Sequence, residues 1–368
     1  MQAEKERKKE RKKERNGARV VFLDLIRTLA IMCVVLCHSV EKIYSLNLEE
    51  WNTSSISSNL FKTVFFTIGR LGVPLFLMLT GYLLLDKNID NDEDVIKFYK
   101  KKLIPIVITT EIWIVIYTIF YSVCNKETFS LEKLVRRVCF MEFSPANMWY
   151  MPMIIGMYIA IPFVNKVLTT FSIKTLKIPM IFLIFVYSIL PTLNIIFRIF
   201  NINEWYSLID VSFLGGKYGF YLISGYYINK KVLKNSKTWI LTAINGIAFF
   251  LACGIQILSF ENEIEYNIWY DSIFLLICSI TLFELLTRIK IKSKIKNIFT
   301  HISKISFGIF FVHEIVLSLL GLLNKDIAMK KSVQTCILFI MTFGICICIV
   351  ELLSKIKILR KRLFLLKD

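Results

Sequence analysis

The chain has 368 residues, 55% of them hydrophobic, and a mean hydropathy of +0.59. That composition excludes an ordinary soluble globular domain and predicts an all-α polytopic membrane bundle of about ten transmembrane helices. The net charge of +18 would suit a nucleic-acid partner, but its placement along the chain assigns it to membrane topology instead.

Residues 1–19, MQAEKERKKERKKERNGAR, form a low-complexity charged run with no apolar face, read as a solvated basic tail on the cytoplasmic side or against anionic lipid. Apolar windows of about 20 residues follow near 20–41, 61–85, 103–123, 148–168, 178–198, 211–229, 238–259, 268–287, 305–323 and 333–353. Lys and Arg gather between alternate windows, at Lys97 to Lys102, Lys166 to Lys177, Lys230 to Lys237, Arg288 to Lys304 and Lys355 to Lys367. The intervening loops, including the acidic FENEIEYN, are poorer in them. This positive-inside pattern predicts cytoplasmic termini, a membrane domain over 20–354 and a basic C-terminal tail over 355–368. The first apolar segment is too long for a cleavable signal peptide and lacks a small-residue cleavage signature, so it reads as a retained helix.

That first segment carries Asp24, Arg27 and His38. Ionisable groups inside hydrocarbon are costly, so function is their default explanation. Arg27 and His38 lie eleven positions apart, which places them about 20° apart around a helix and about 16 Å apart along it. Asp24 falls on the same side, so an acid, a cation and a base share one face. Glu41, one turn beyond His38, either orients the imidazole or sits in a loop without a partner. Glu111, Glu284 and Glu351 are further acids that a basic group of this helix can meet.

The second segment, from Phe65 to Tyr82, mixes Arg70, Pro74 and several glycines into an apolar run. Such irregular backbone is tolerated at membrane depth where it packs on protein or lines a cavity, and the glycines also suit close helix packing. The fourth opens Asn147-Met148-Trp149-Tyr150-Met151-Pro152, where the aromatics read either as interface anchors or as substrate contacts, and Tyr158 lies deeper as polar lining. The sixth interleaves small residues with tyrosines around Ile223-Ser224-Gly225-Tyr226, a surface for packing or for a carbohydrate. The ninth places His313 after Ile305-Ser306-Phe307-Gly308-Ile309-Phe310-Phe311-Val312. The nine cysteines are spread almost wholly through apolar segments without metal-ligand spacing and read as core residues.

Taken in order, Leu23-Asp24-Leu25-Ile26-Arg27 with His38, then Gly72 to Tyr82, Met148-Trp149-Tyr150-Met151, Ile223-Ser224-Gly225-Tyr226 and Ile305 to His313 resemble the acyltransferase-3 family of integral membrane acyltransferases. The resemblance covers nearly the whole chain beyond the tail. It implies transfer of an acyl group, commonly acetyl from cytoplasmic acetyl-CoA, to hydroxyls of cell-envelope carbohydrates or lipid-linked glycan precursors at a bacterial cell membrane. The family's essential first-helix His maps to His38 and its nearby Arg to Arg27. Many members carry an additional extracytoplasmic transferase domain, and a stand-alone membrane form is expected here.

The resulting expectations assign His38 and Glu41 to catalysis, with His38 as general base or transient acyl carrier. Arg27, Arg70 and Asp24 are assigned to the acyl-CoA donor, and Trp149, Tyr150, Tyr158, Tyr226 and His313 to the acceptor. No metal, permanently bound cofactor or nucleic acid is expected, and membrane lipid is. The competing expectation is an exporter or flippase of envelope polysaccharide intermediates, although no inverted repeat is legible.

Overall fold

The structure is a computed structural model that describes residues 21–124, 129–142, 146–209, 215–323 and 329–366. The basic tail 1–19 lies outside the described residues. The described chain is an all-α bundle whose main helices are α1 (Val21–Ile43), α2 (Ile56–Leu84), α3 (Asp92–Cys124), α4 (Tyr150–Thr170), α5 (Ile173–Ile199), α6 (Gly216–Asn229), α7 (Thr238–Glu261), α8 (Ile273–Thr287), α9 (Ser293–Leu323), α10 (Lys331–Ser354) and the short α11 (Lys357–Leu363).

Among the described residues, eight helices are long and apolar enough to cross a membrane. The two that fall short are α6, with 14 residues, and α8, with 15. At about 1.5 Å per residue, neither reaches across a hydrocarbon core about 30 Å thick. The apolar window 268–287 becomes helical only at Ile273, because the preceding backbone is held by side chains of its neighbours. The Ile268 N–H donates to Gln256 Oε1 at 3.1 Å, and Gln256 Nε2 donates to Thr67 Oγ1 at 2.8 Å. The Tyr221 hydroxyl donates to the Tyr270 carbonyl at 3.2 Å, and the Ile273 N–H donates to Thr192 Oγ1 at 2.9 Å. Non-helical backbone at depth survives only with such partners.

Helix α1 is central, packed against α2, α8, α9 and α10. Its partner α2 breaks at Leu71, between the helical stretches Ile56–Arg70 and Gly72–Leu84. The cause is Pro74, which has no N–H to give the Arg70 carbonyl four residues earlier. Around the break, Gly69 and Gly72 let α2 lie directly on α1: a Cβ at Gly69 would sit 2.6 Å from Cys37 Cα, and one at Gly72 would sit 2.7 Å from the Ala30 carbonyl oxygen.

Farther along, α2 crosses α6 through a reciprocal pair of glycines. A Cβ at Gly81 would lie 1.7 Å from the Leu222 carbonyl oxygen, and one at Gly225 would lie 1.9 Å from that of Met78. Small residues at membrane-helix crossings allow this backbone approach, and here both partners depend on it. By contrast, nothing lies within 4 Å of a Cβ built at Gly246 or Gly254 on α7. Gly81→Ala and Gly225→Ala should each lower stability by at least about 1–3 kcal/mol, as overpacking does. Gly246→Ala and Gly254→Ala should leave it unchanged or raise it by up to about 1 kcal/mol. Thermal unfolding midpoints of the detergent-solubilised protein check both halves.

Candidate functional site

His38 and Glu41 stand three residues apart on α1, a spacing that brings helical side chains together. His38 Nδ1 donates to Glu41 Oε2 at 2.6 Å, and the other carboxylate oxygen accepts from Arg70 Nη2 at 2.9 Å. Arg70 reaches this position because the α2 break and the two flanking glycines press its backbone against α1. Its side chain is only 7% exposed, so the cation needs compensation for lost water. The Glu41 carboxylate supplies it, with the faces of Phe66 and Trp269 at 4.5 and 4.2 Å and the Tyr270 hydroxyl at 3.4 Å from Nη1.

On the other side of His38 lies the fully buried His313, with ring centroids 5.3 Å apart. His313 Nδ1 donates to the Phe310 carbonyl at 2.6 Å, which fixes the proton on that nitrogen and leaves Nε2 as an acceptor in the neutral ring. Ring contacts then close a circuit. Trp269 and Tyr270 each lie 5.8 Å from Trp149, which contacts Tyr150 at 6.2 Å. Tyr150 contacts Phe310 at 5.4 Å, and Phe310 contacts His313 at 6.0 Å. The reactive groups of α1 and α2 are thus girdled by aromatic side chains from α4, α9 and the chain entering α8.

Tyr150 and Phe310 also line the inner end of a cavity of about 790 Å³. Tyr158 lines it as well, and its basic residues are Arg27, Lys101, Lys102, Lys304, Lys361 and Arg362, with no Asp or Glu among the described residues of the lining. Its walls are apolar, including Phe76, Leu79, Ile106, Ile154 and Phe307. Arg27 Nη1 donates to Ser303 Oγ at 3.4 Å, and Ser303 in turn donates to Asp24 Oδ1 at 2.7 Å. Thr300 gives Asp24 a further hydrogen bond at 2.9 Å. Asp24 is therefore a buried clasp between α1 and α9 behind Arg27, and it does not line the cavity.

The expected site residues are distributed unequally. His38, Glu41, Arg70, His313, Trp149 and Tyr150 come together in one circuit, while Arg27 and Tyr158 join Tyr150 along the cavity. Arg70, expected beside Arg27 at the donor, instead sits at the His38 end and is absent from the cavity wall, because the break in α2 holds it against Glu41. Tyr226 is not brought to either place: its hydroxyl donates to the Leu168 carbonyl at 2.8 Å and Lys230 lies 5.3 Å above its ring. Glu41 is the acid that meets His38. Glu284 pairs with Arg288 at 2.8 Å and Glu351 with His301 at 2.5 Å.

Trp269, Tyr270 and Phe310 were missed from the sequence. The only local signal for the first two was the Trp-Tyr pair beside an acidic loop, which an interfacial reading absorbs equally well. Among the described residues no group of three or more His, Cys, Asp or Glu could hold a metal ion.

No curated protein and no solved structure shows significant similarity to the chain. A family model described as an acyltransferase domain matches residues 20–351, a span that includes the His38, Glu41, Arg70 and His313 cluster and most of the cavity. This multi-pass membrane protein is an acyltransferase of the acyltransferase-3 family.

Proposed function

We propose that the protein is an O-acyltransferase of the bacterial cytoplasmic membrane, moving an acetyl group from cytoplasmic acyl-CoA to a hydroxyl of a cell-envelope carbohydrate or its lipid-linked precursor. The observation that carries this reading is the Arg70–Glu41–His38 chain together with a cavity lined by six cations, whose Phe310 contacts the His313 ring that lies against His38. Acyl-CoA is large, anionic at one end and reactive at the other. A cavity lined both by six cations and by Tyr150 and Phe310 of the aromatic girdle suits such a molecule.

In this reading the donor enters by the basic end, and Arg27 orients its phosphate or pantetheine portion through charge-assisted hydrogen bonds. Asp24 acts on Arg27 through Ser303 and so is a positioning residue. The thioester reaches Tyr150 and Phe310. His38 gives its Nδ1 proton to the Glu41 carboxylate as a hydrogen bond, which leaves Nε2 free to accept a proton. Nε2 takes the proton of the acceptor hydroxyl as the oxygen attacks the thioester carbonyl. Collapse of the tetrahedral intermediate breaks the carbon–sulfur bond, and the imidazolium returns the proton to the thiolate. The sums balance: one hydroxyl and one thioester give one ester and one thiol.

Glu41 alone would leave a carboxylate beside the base; Arg70 offsets that charge, and the hydrogen bond to Glu41 orients the imidazole. Trp149 and Tyr150 supply flat faces and a hydroxyl for the acceptor, and His313 packs against the His38 ring.

Membranes containing the protein should incorporate labelled acetyl from acetyl-CoA into envelope glycan, and His38→Ala at equal abundance should reduce incorporation by about 10²- to 10⁴-fold, the usual contribution of a general base. Unchanged incorporation would remove His38 from the reaction, and glycan movement without any need for acyl-CoA would favour an exporter. A separate measurement tests the charge relay. Arg70→Met should destabilise the protein by about 3 kcal/mol, the low end for breaking a buried pair because Glu41 keeps 28% of its side chain exposed. Adding Glu41→Gln should restore much of the thermal stability but none of the activity; a double-variant loss equal to the sum of the Arg70→Met and Glu41→Gln losses would show that the pair is not coupled.

A further inference from the structure

The match to the acyltransferase family ends at residue 351, yet the chain beyond it returns to the cavity. Helix α11 has only seven residues and no side-chain cap at its start, too short to persist in isolation. Its last carbonyls, which a helix cannot satisfy internally, are taken by α3: Thr109 Oγ1 donates to the Arg362 carbonyl at 2.7 Å and Trp113 Nε1 donates to the Leu363 carbonyl at 3.0 Å. Phe364 follows immediately and is 1% exposed. Its ring lies 6.3 Å from that of Trp113, and it fills the space over Gly308 of α9, where an added Cβ would come within 2.9 Å of it. Trp113 itself stacks on Phe311 at 5.2 Å, two residues before His313.

This docking has a consequence at the surface. Lys361 and Arg362 line the cavity together with Arg27, and both side chains are exposed. A basic tail with no fold of its own would spread its charges over the membrane face. Here two hydrogen bonds and one buried ring hold two adjacent cations at one opening. An arginine so placed offers the planar pair of donors that phosphate oxygens accept.

We propose that residues 357–366 form one wall of the donor site, in which Lys361 and Arg362 hold the phosphate-bearing end of acyl-CoA and Phe364 locks that wall in place. The inference rests on the acyl-CoA reading above. Anionic lipid headgroups carry the same phosphate chemistry, so the test separates the two sources.

The full-length protein is reconstituted in nanodiscs of phosphatidylcholine alone or with phosphatidylglycerol, and binding of CoA and of pantetheine is measured by calorimetry alongside KM and kcat for acetyl-CoA. K361A/R362A should raise the Kd for CoA and the KM for acetyl-CoA at least about tenfold in both lipids, leave kcat within about twofold and leave pantetheine binding unchanged. K174A/K177A, which removes two cations outside the cavity, should do none of this. Phe364→Ala should weaken CoA binding similarly and open residues 357–366 to limited proteolysis, and Phe364→Leu should restore both. CoA binding equal to wild type in K361A/R362A, or a loss seen only where phosphatidylglycerol is present, overturns the proposal while leaving the acyl-CoA reading intact. Failure of the wild-type protein to bind CoA in either lipid overturns that reading, and this one with it.

Discussion

The Glu41 carboxylate is shared between an imidazole on its own helix and a guanidinium from the next, and the arrangement of the bundle around it follows from what that sharing requires. A guanidinium that is nearly removed from water is tolerated only with a counter-charge and hydrogen-bond acceptors. Arg70 finds them only if α2 approaches α1 closely, which the small residues Gly69 and Gly72 permit and the Pro74-induced break directs. The same carboxylate holds His38 by one nitrogen. A single anion therefore satisfies a structural need of α2 and a chemical need of α1, and α2 cannot move along α1 without breaking the Arg70–Glu41 contact.

The aromatic girdle depends on a second departure from regular structure. The chain before α8 stays non-helical, its backbone groups taken by Gln256, Tyr221 and Thr192, and this places both Trp269 and Tyr270 against the Arg70 guanidinium. A continuous helix through this stretch would have aimed successive side chains about 100° apart and separated the two. The shortness of α8 is thus tied to the composition of the site.

Helix α1 joins two regions of different character. Near its start, Asp24 and Arg27 are fastened to α9 through Ser303, beside a cavity lined by six Lys and Arg side chains. About 16 Å farther on, the same face carries His38. A family whose chemistry is acyl transfer needs one place that holds a donor and another that activates an acceptor, and a rigid helix fixes their separation. The cavity is lined by Val34 of this helix and by Tyr150 and Phe310 of the girdle, so side chains connect the two regions.

Several of these features were legible in the residues alone. The hydrophobic windows required membrane helices because backbone polar groups in lipid must bond within their own segment. The alignment of Asp24, Arg27 and His38 followed from helical periodicity, which depends on no other element. The pairing of His38 with Glu41 was one of two open readings, and the helix continuing past Glu41 decided it. What lies between helices was not legible. Arg70 went to Glu41 and not to Arg27, Tyr226 turned to the Leu168 carbonyl, Trp269 and Tyr270 entered the site, and the basic segment after residue 355 came back to wall the cavity. Each of these depends on which backbones approach closely and at what height. Periodicity fixes the direction of a side chain from its own helix axis, whereas its partner is fixed by the packing of a second helix, which only the tertiary structure determines.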